Sequence, residues 1–104
     1  MNSKLISLLT ICRKAGRLVM GFDPAKEALA EGKAKLVLLA ENISPKTEKE
    51  INFFAAKVNV PVMRSGCTQE DFFNGIGKKV GIVTICDEGF SKKAAVLANE
   101  PQEK

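Results

Sequence analysis

The sequence predicts an α/β protein, a three-layer α/β/α sandwich with a mixed central sheet of about four strands. Segments with the spacing of amphipathic helices alternate with short apolar runs along the chain, and this alternation is typical of a sheet covered by helices on both faces. Gly and Pro stand between the segments, where they mark turns. The chain has 104 residues, which suits one compact domain. We expect that domain to cover residues 1–98, with a frayed tail at 99–104.

The first predicted helix has apolar residues at the spacing i, i+3, i+4, i+7, namely Leu5, Leu8, Leu9 and Cys12. Gly16 stands where a left-handed residue ends a helix, so the helix should end near residue 15. The apolar run Leu18–Met20 then predicts a short strand.

The second helix is predicted to start after Asp23, whose carboxylate can accept from free backbone amides, with Pro24 as its first residue. Gly32 ends it. The run Leu36–Ala40 is wholly apolar, which predicts a strand buried on both faces.

The third helix should start at Ser44, with Pro45 at its first position. Its apolar stripe is Ile51, Phe54, Ala55 and Val58. A short strand at Val60–Met63 follows.

A variant of the capping box at Thr68 predicts the fourth helix, and Gly77 ends it. The run Val80–Cys86 is the clearest strand of the C-terminal half. Asp87 should cap a last helix that reaches about residue 97.

In such sandwiches, the turns that follow the strands form the usual binding edge. The turns that could meet there are Gly21 with Asp23, residues 41–44, residues 64–68 and residues 87–89.

The residue content argues against an enzyme. Histidine is absent, which removes the commonest metal ligand and the usual proton shuttle, so we expect no catalytic group, metal or cofactor. Cys67 precedes a helix but has no histidine to activate it, and an incidental cysteine is the simpler interpretation. The sequence from Gly75 to Lys79 lacks the first glycine and the Ser or Thr of a phosphate-binding loop, so a helix end explains it better.

Three widely spaced cysteines suggest neither disulfides nor zinc, and therefore a reducing compartment. The apolar segment Leu5–Leu9 has neither a basic leader nor a small-residue cleavage site. We expect a cytoplasmic monomer with no membrane contact.

The net charge of +4 lies in the N-terminal third, where residues 1–35 hold seven Lys or Arg against three Asp or Glu. Such asymmetry favours a polyanion partner, although a solvated face is the simpler alternative. Lys33 and Lys35 lie in the glycine turn that follows Gly32, directly before a predicted strand. That arrangement indicates an anion-binding corner.

Several segments together resemble the ribosomal protein L7Ae/L30e/S12e/Gadd45 family: EGKAKLVLLAENISP, VNVPV and FFNGIGKKVGIVTICDEGF. The opening LLTICRKAGRLVMG and the closing DEGFSKK are most similar to its small bacterial YlxQ-like branch. The resemblance runs from about Leu5 to Lys93. It implies an L30e-like domain that binds structured RNA, either ribosomal RNA or a kink-turn-like element.

Kink-turn readers of the family carry Gly, any residue, Asn-Glu, two residues and Lys at the start of the second helix. In this chain, those places hold Gly21, Asp23, Pro24 and Glu27, so only the glycine is kept. Glu27 reverses a phosphate-facing charge, and Pro24 removes an acceptor for guanine edges. This departure argues against the usual mode of kink-turn recognition.

The leading hypothesis is a non-catalytic RNA-binding protein, and the alternative is a protein–protein adaptor on the same fold. An exposed apolar patch around Phe22 or Phe73, with dispersed lysines, would favour the adaptor. The predicted RNA-binding residues are Gly21, Phe22, Asp23, Lys26, Lys33, Arg64, Ser65, Gly66 and Thr68.

Overall fold

The computed structural model describes residues 2–99, in which five helices alternate with four strands. The elements in chain order are α1 (Ser3–Lys14), β1 (Leu18–Met20), α2 (Phe22–Ala30), β2 (Leu36–Leu39), α3 (Pro45–Lys57), β3 (Val62–Arg64), α4 (Gln69–Ile76), β4 (Ile82–Ile85) and α5 (Glu88–Asn99).

The strands form one mixed sheet in the order β1-β4-β2-β3. The central strand β2 pairs in parallel with β3 and antiparallel with β4, and β4 pairs antiparallel with β1. The predicted mixed sheet of four strands is therefore confirmed.

Alternate residues of the strands enter two separate cores. Leu36 and Leu38 face a core shared with α1, α4 and α5, whereas Val37 and Leu39 face a core shared with α2 and α3. Both faces of β2 are buried, as its wholly apolar run predicted. This arrangement is the predicted three-layer α/β/α sandwich.

Several helix ends match their local signals. The Ser44 hydroxyl accepts from the Thr47 amide at 3.2 Å, with Pro45 at the first helical position. Thr68 and Asp71 form a reciprocal capping box, and Gly77 ends α4 in the left-handed conformation at φ +82°. The Asp87 carboxylate accepts from the Phe90 amide at 2.8 Å at the start of α5.

Other predicted boundaries were wrong. The strand predicted over residues 60–63 is shifted to Val62–Arg64, because the Val60 amide donates to Ala55 and completes the end of α3. The strand predicted over residues 80–86 is shorter, at Ile82–Ile85. Asn99, assigned to the tail, is the last residue of α5, and residues 100–104 lie outside the described part.

The sheet has two ends that carry different turns. We call one the Gly21 edge: it holds Gly21 after β1, Ala40 after β2 and Ser65 after β3. We call the other the Lys35 edge, where Arg17 precedes β1 and Lys35 precedes β2.

The turn at residues 87–89 had been predicted to join the other turns at the Gly21 edge, but it does not. Because β4 runs antiparallel to β2, its C-terminal end lies at the Lys35 edge. Within residues 2–99, no helix has both the length and the apolar character needed to cross a membrane.

Candidate nucleic-acid interface

The Gly21 turn leads directly from β1 into α2. Gly21 has φ +107°, and its amide donates to the Ile82 carbonyl at 2.8 Å. An added Cβ would lie 3.6 Å from Pro24 Cδ, so the backbone angle, rather than lack of space, favours glycine here.

Asp23 does not cap α2, which corrects the sequence prediction. Gly21 is the capping residue, without a side-chain bond, and the helix begins two residues earlier than predicted, at Phe22 instead of Pro24. The positive φ of Gly21 turns the chain before Asp23 is reached. Asp23 is exposed in the first helical turn, where a carboxylate complements the helix dipole.

Phe22 begins a cluster of three phenylalanine rings on α2 and α3. Its ring meets Phe54 edge to face at 6.4 Å between centroids, and Phe54 meets Phe53 at 5.5 Å. Lys26 Nζ lies 4.7 Å from the Phe54 centroid, and Lys57 Nζ lies 4.3 Å from that of Phe53. Both distances fit cation–π contacts, so Lys26 faces α3.

Arg64 is the last residue of β3 rather than a loop residue. Its Nη2 atom lies 2.7 Å from Glu48 Oε1 in an ion pair. Arg64 therefore reaches the Gly21 edge with its charge already partnered.

Ser65 is buried, and its side chain is used inside the protein. The hydroxyl donates to the Leu39 carbonyl at 2.8 Å and accepts from the Cys67 amide at 3.1 Å. The Ser65 side chain therefore holds the turn after β3, and a contact of this residue with RNA stays a prediction.

The next residues are more open but also carry internal bonds. Gly66 has φ +75°, and its amide donates to a Glu41 carboxylate oxygen at 3.2 Å. The half-buried Thr68 hydroxyl accepts from the Asp71 amide at 3.1 Å. Thr68 thus supports α4 whether or not it also faces a ligand.

The structure brings the Gly21 turn and the Arg64–Thr68 segment to the same edge but leaves Lys33 away from it. Helix α2 carries the chain back across the sheet, so Lys33 lies at the Lys35 edge, where Nζ is 3.1 Å from Glu31 Oε1. Even the two segments that share an edge follow the outermost strands, which are roughly 14 Å apart across the sheet.

Three residues of this surface were not predicted: Phe53, Phe54 and Lys57. Phe54 had been assigned to the core, but it is only half buried, and Phe53 is 58% exposed. The helical spacing of Lys57, three and four residues after the two rings, was the signal that could have found them.

The cysteines lack the setting of a nucleophile. Burial, with a smaller effect of Asp87, raises the pKa of the Cys12 thiol from 9.0 to about 11. Burial also raises the pKa of the Cys67 thiol. Within residues 2–99, no three His, Cys, Asp or Glu side chains are grouped to hold a metal ion.

The fold and this surface define a small α/β/α domain that presents glycine turns, rings and cations. The sequence pattern of the ribosomal protein L7Ae/L30e/S12e/Gadd45 family matches residues 3–95. The chain belongs to that family, as the resemblance predicted, and it is not an enzyme.

Relatives match over most of their length. The large ribosomal subunit protein eL30 of Yarrowia lipolytica is 35% identical, over 80% of this chain and 78% of its own. The RNA-binding protein YlxQ of Enterococcus faecium is 28% identical, over 92% of each chain.

Two solved structures share the fold. A protein of unknown function from Bacillus halodurans superposes with a TM-score of 0.86 at 28% identity, over 93% of this chain and 98% of its own. The Giardia lamblia 15.5kD RNA binding protein gives 0.71 at 16% identity, over 90% and 81%. The second likeness concerns the fold alone.

Proposed function

We propose that this protein binds structured RNA, ribosomal RNA or a kink-turn-like element, as a cytoplasmic monomer. Membership of a ribosomal protein family, matched over residues 3–95, is the observation that carries the proposal. The RNA-binding relative that matches over 92% of this chain supports it.

The proposed contact surface lies at the Gly21 edge. It comprises Gly21, Phe22 and Asp23 on one side and Arg64, Gly66 and Thr68 on the other, with Lys26 adjoining. Glycine turns let backbone amides approach phosphates, and Arg64 supplies a planar donor suited to phosphate or a base. Ser65 supports this surface from below, and Lys33 is outside it.

The kink-turn is the less favoured target. In the structure, Pro24 is the third residue of α2 and has no amide hydrogen to offer, while Glu27 is exposed on the same helix. Both features weaken contacts to phosphates and guanine edges. We therefore propose that ribosomal RNA binds more tightly than an isolated kink-turn.

Filter binding at several salt concentrations tests the proposal, using ribosomal RNA, a kink-turn and a kink-turn without its G·A pairs. Arg64→Gln should weaken binding and reduce the salt slope by about 0.7–0.9. Lys92→Gln is the matched control, since Lys92 is an exposed, ion-paired cation on α5. Undetectable binding at low salt to every RNA would refute the function.

The adaptor alternative has one feature in its favour. Phe73 is 56% exposed on α4, whereas Phe22 is half buried against Phe54 and accompanied by lysine. Pull-downs that survive nuclease treatment and are lost in Phe73→Ala would support an adaptor. RNA binding unchanged in Arg64→Gln alongside that loss would favour it over the leading proposal.

A further inference from the structure

The surface between α2 and α3 forms a groove that begins at the Gly21 turn. The two helices both start at the Gly21 edge, and each runs toward the Lys35 edge. Phe22 lies at the start of α2 and touches Phe54 on α3. The groove is therefore continuous with the proposed RNA surface.

Two adjoining depressions mark the course of this α2–α3 groove. The first, about 190 Å³, includes Lys26, Phe54 and Lys57 in its walls. The second, about 290 Å³, includes Lys35. Leu29 and Val58 border both, so the depressions follow one another toward the Lys35 edge.

The cations of the groove differ from Arg64 and Lys79 in having no carboxylate partner. Arg64 is paired with Glu48, and Lys79 is paired with Glu70. Within residues 2–99, Lys26, Lys35 and Lys57 form no ion pair. Lys26 and Lys57 lie over rings instead.

Lys35 extends the positive charge to the far end of the groove. The Lys35 amide donates to Ile85, and the Cys86 amide donates to Arg17, each at 2.8 Å. These bonds place Arg17 and Lys35 on either side of Cys86. The three residues form a row across the sheet, one position beyond the last paired residues of the strands. Since side chains alternate between faces, the row has the same orientation as Val37, toward α2 and α3.

Rings interleaved with unpaired lysines are the combination that binds single-stranded nucleic acid. Every base has a face that can stack on an aromatic ring, and lysines neutralise the phosphates between bases. Phe53 is the most exposed residue of the cluster, at 58%, whereas Phe22 and Phe54 are half buried.

We propose that a single-stranded segment of RNA, next to the structured element, lies in the α2–α3 groove. A base stacks on Phe53, and the phosphates contact Lys26, Lys57 and Lys35 in turn. This proposal rests on the proposed function and names the form of RNA that the protein prefers. Continuity with the Gly21 edge favours RNA over an acidic peptide as the occupant.

The test compares two RNAs that share one structured element, of which only one carries a single-stranded flank with 2-aminopurine. The wild type should bind the flanked RNA more tightly and change the 2-aminopurine fluorescence, because stacking alters that signal. Phe53→Ala should weaken binding of the flanked RNA roughly fivefold or more and leave the other RNA unchanged. Lys57→Gln should lower the salt slope for the flanked RNA by about 0.7.

Phe73→Ala is the matched control, because Phe73 is 56% exposed on a different helix. Thermal melts check that Phe53→Ala remains folded, and Lys57→Gln provides a second variant that keeps the rings. Equal binding of both RNAs by the wild type, with an unchanged fluorescence signal, would overturn the proposal and leave the groove as a protein-docking surface. Failure of both RNAs to bind would instead overturn the proposed function.

Discussion

At the scale of single residues, the guanidinium of Arg64 forms an ion pair with one carboxylate, that of Glu48. Arg64 Nη2 and Glu48 Oε1 are 2.7 Å apart, with roughly half of the arginine side chain exposed. Ion pairs of this exposure contribute about 1 kcal/mol or less. A phosphate can therefore compete for the guanidinium at small cost.

Removing that competitor gives the first prediction. Glu48→Gln should raise the affinity for structured RNA by a few fold, since it releases Arg64 and removes a negative charge near the phosphates. Filter binding at about 0.15 M salt measures the change. Glu88→Gln, at an ion pair on α5, is the control, and weaker binding by Glu48→Gln would show that the pair positions Arg64 for RNA.

Thr84 gives a second prediction at this scale. Among residues 2–99, its Oγ1 is a buried side-chain oxygen without a hydrogen-bond partner, and a buried unpaired hydroxyl is destabilising. Thr84→Val should raise the free energy of unfolding by about 1 kcal/mol, measured by urea denaturation.

Ser65 is the matched comparison for Thr84, because it is buried and its hydroxyl both donates and accepts hydrogen bonds. Ser65→Ala should lower the free energy of unfolding by about 1–3 kcal/mol. A loss of stability in Thr84→Val would contradict the interpretation that its hydroxyl has no partner.

At the scale of elements, α4 depends on its capping box. Thr68→Ala removes the acceptor of the Asp71 amide and should cost about 1 kcal/mol of stability. Thr68→Ser keeps the acceptor and should cost little. Urea denaturation measures the free energy of unfolding of both variants. Equal losses of stability would show that the methyl group of Thr68, rather than its hydroxyl, stabilises the protein.

The contact between α1 and α4 depends on a glycine. A Cβ at Gly75 would clash with Ile6 Cγ2, a methyl carbon attached to the β-carbon and therefore close to the backbone. Gly75→Ala should lower the free energy of unfolding by about 1–2 kcal/mol, even though alanine favours helices.

The clash at Gly75 can be separated from helix propensity by a second substitution. Ile6→Ala combined with Gly75→Ala should show a coupling energy that offsets part of the loss. Asn74→Ala, an exposed position of the same helix, reports the propensity effect alone. Additive losses in the double variant would contradict the proposed contact.

Local chemistry explains which elements could be predicted. Ser44 and Thr68 were identified as caps because each needs only the amides of the next turn. Asp23 was misassigned because the angle of Gly21, fixed by a bond to distant Ile82, decides where α2 begins. The pairing of short strands is likewise set by distant residues, which the sequence pattern does not record.

The positions of the residues in the candidate site could likewise be predicted only in part. The turns after β1 and β3 share an edge, as expected for strand ends, whereas Lys33 had to be placed by following α2 back across the sheet. Phe53 and Phe54 were missed because a helical stripe does not distinguish a core ring from a half-exposed one.

At the scale of the whole molecule, the distribution of charge separates two surfaces. The excess cations of the N-terminal third do not gather at the Gly21 edge: Lys33 and Lys35 lie at the opposite edge. The four residues of β2 keep these edges about 13 Å apart. That spacing exceeds the screening length of about 8 Å at physiological salt.

This spacing predicts different effects for two cations. At about 0.15 M salt, Lys33→Gln should change the affinity for an RNA without a flank by less than about twofold, because its charge is screened, whereas Arg64→Gln should weaken it clearly. The difference in affinity loss between the two variants should narrow at about 0.01 M salt, where the screening length is about 30 Å. If Lys33→Gln and Arg64→Gln lose equal affinity for the RNA at both salt concentrations, Lys33 contacts the RNA directly.

The sheet order also governs when the protein can fold as the chain is synthesised. In the order β1-β4-β2-β3, β1 pairs with β4, and β4 also completes one side of β2. A nascent chain that has not yet exposed Ile82–Ile85 outside the synthesis tunnel therefore lacks the partner of its first strand. Residues 18–20 stay unpaired until residues 82–85 have emerged, and only then can the Gly21 amide reach its acceptor, the Ile82 carbonyl.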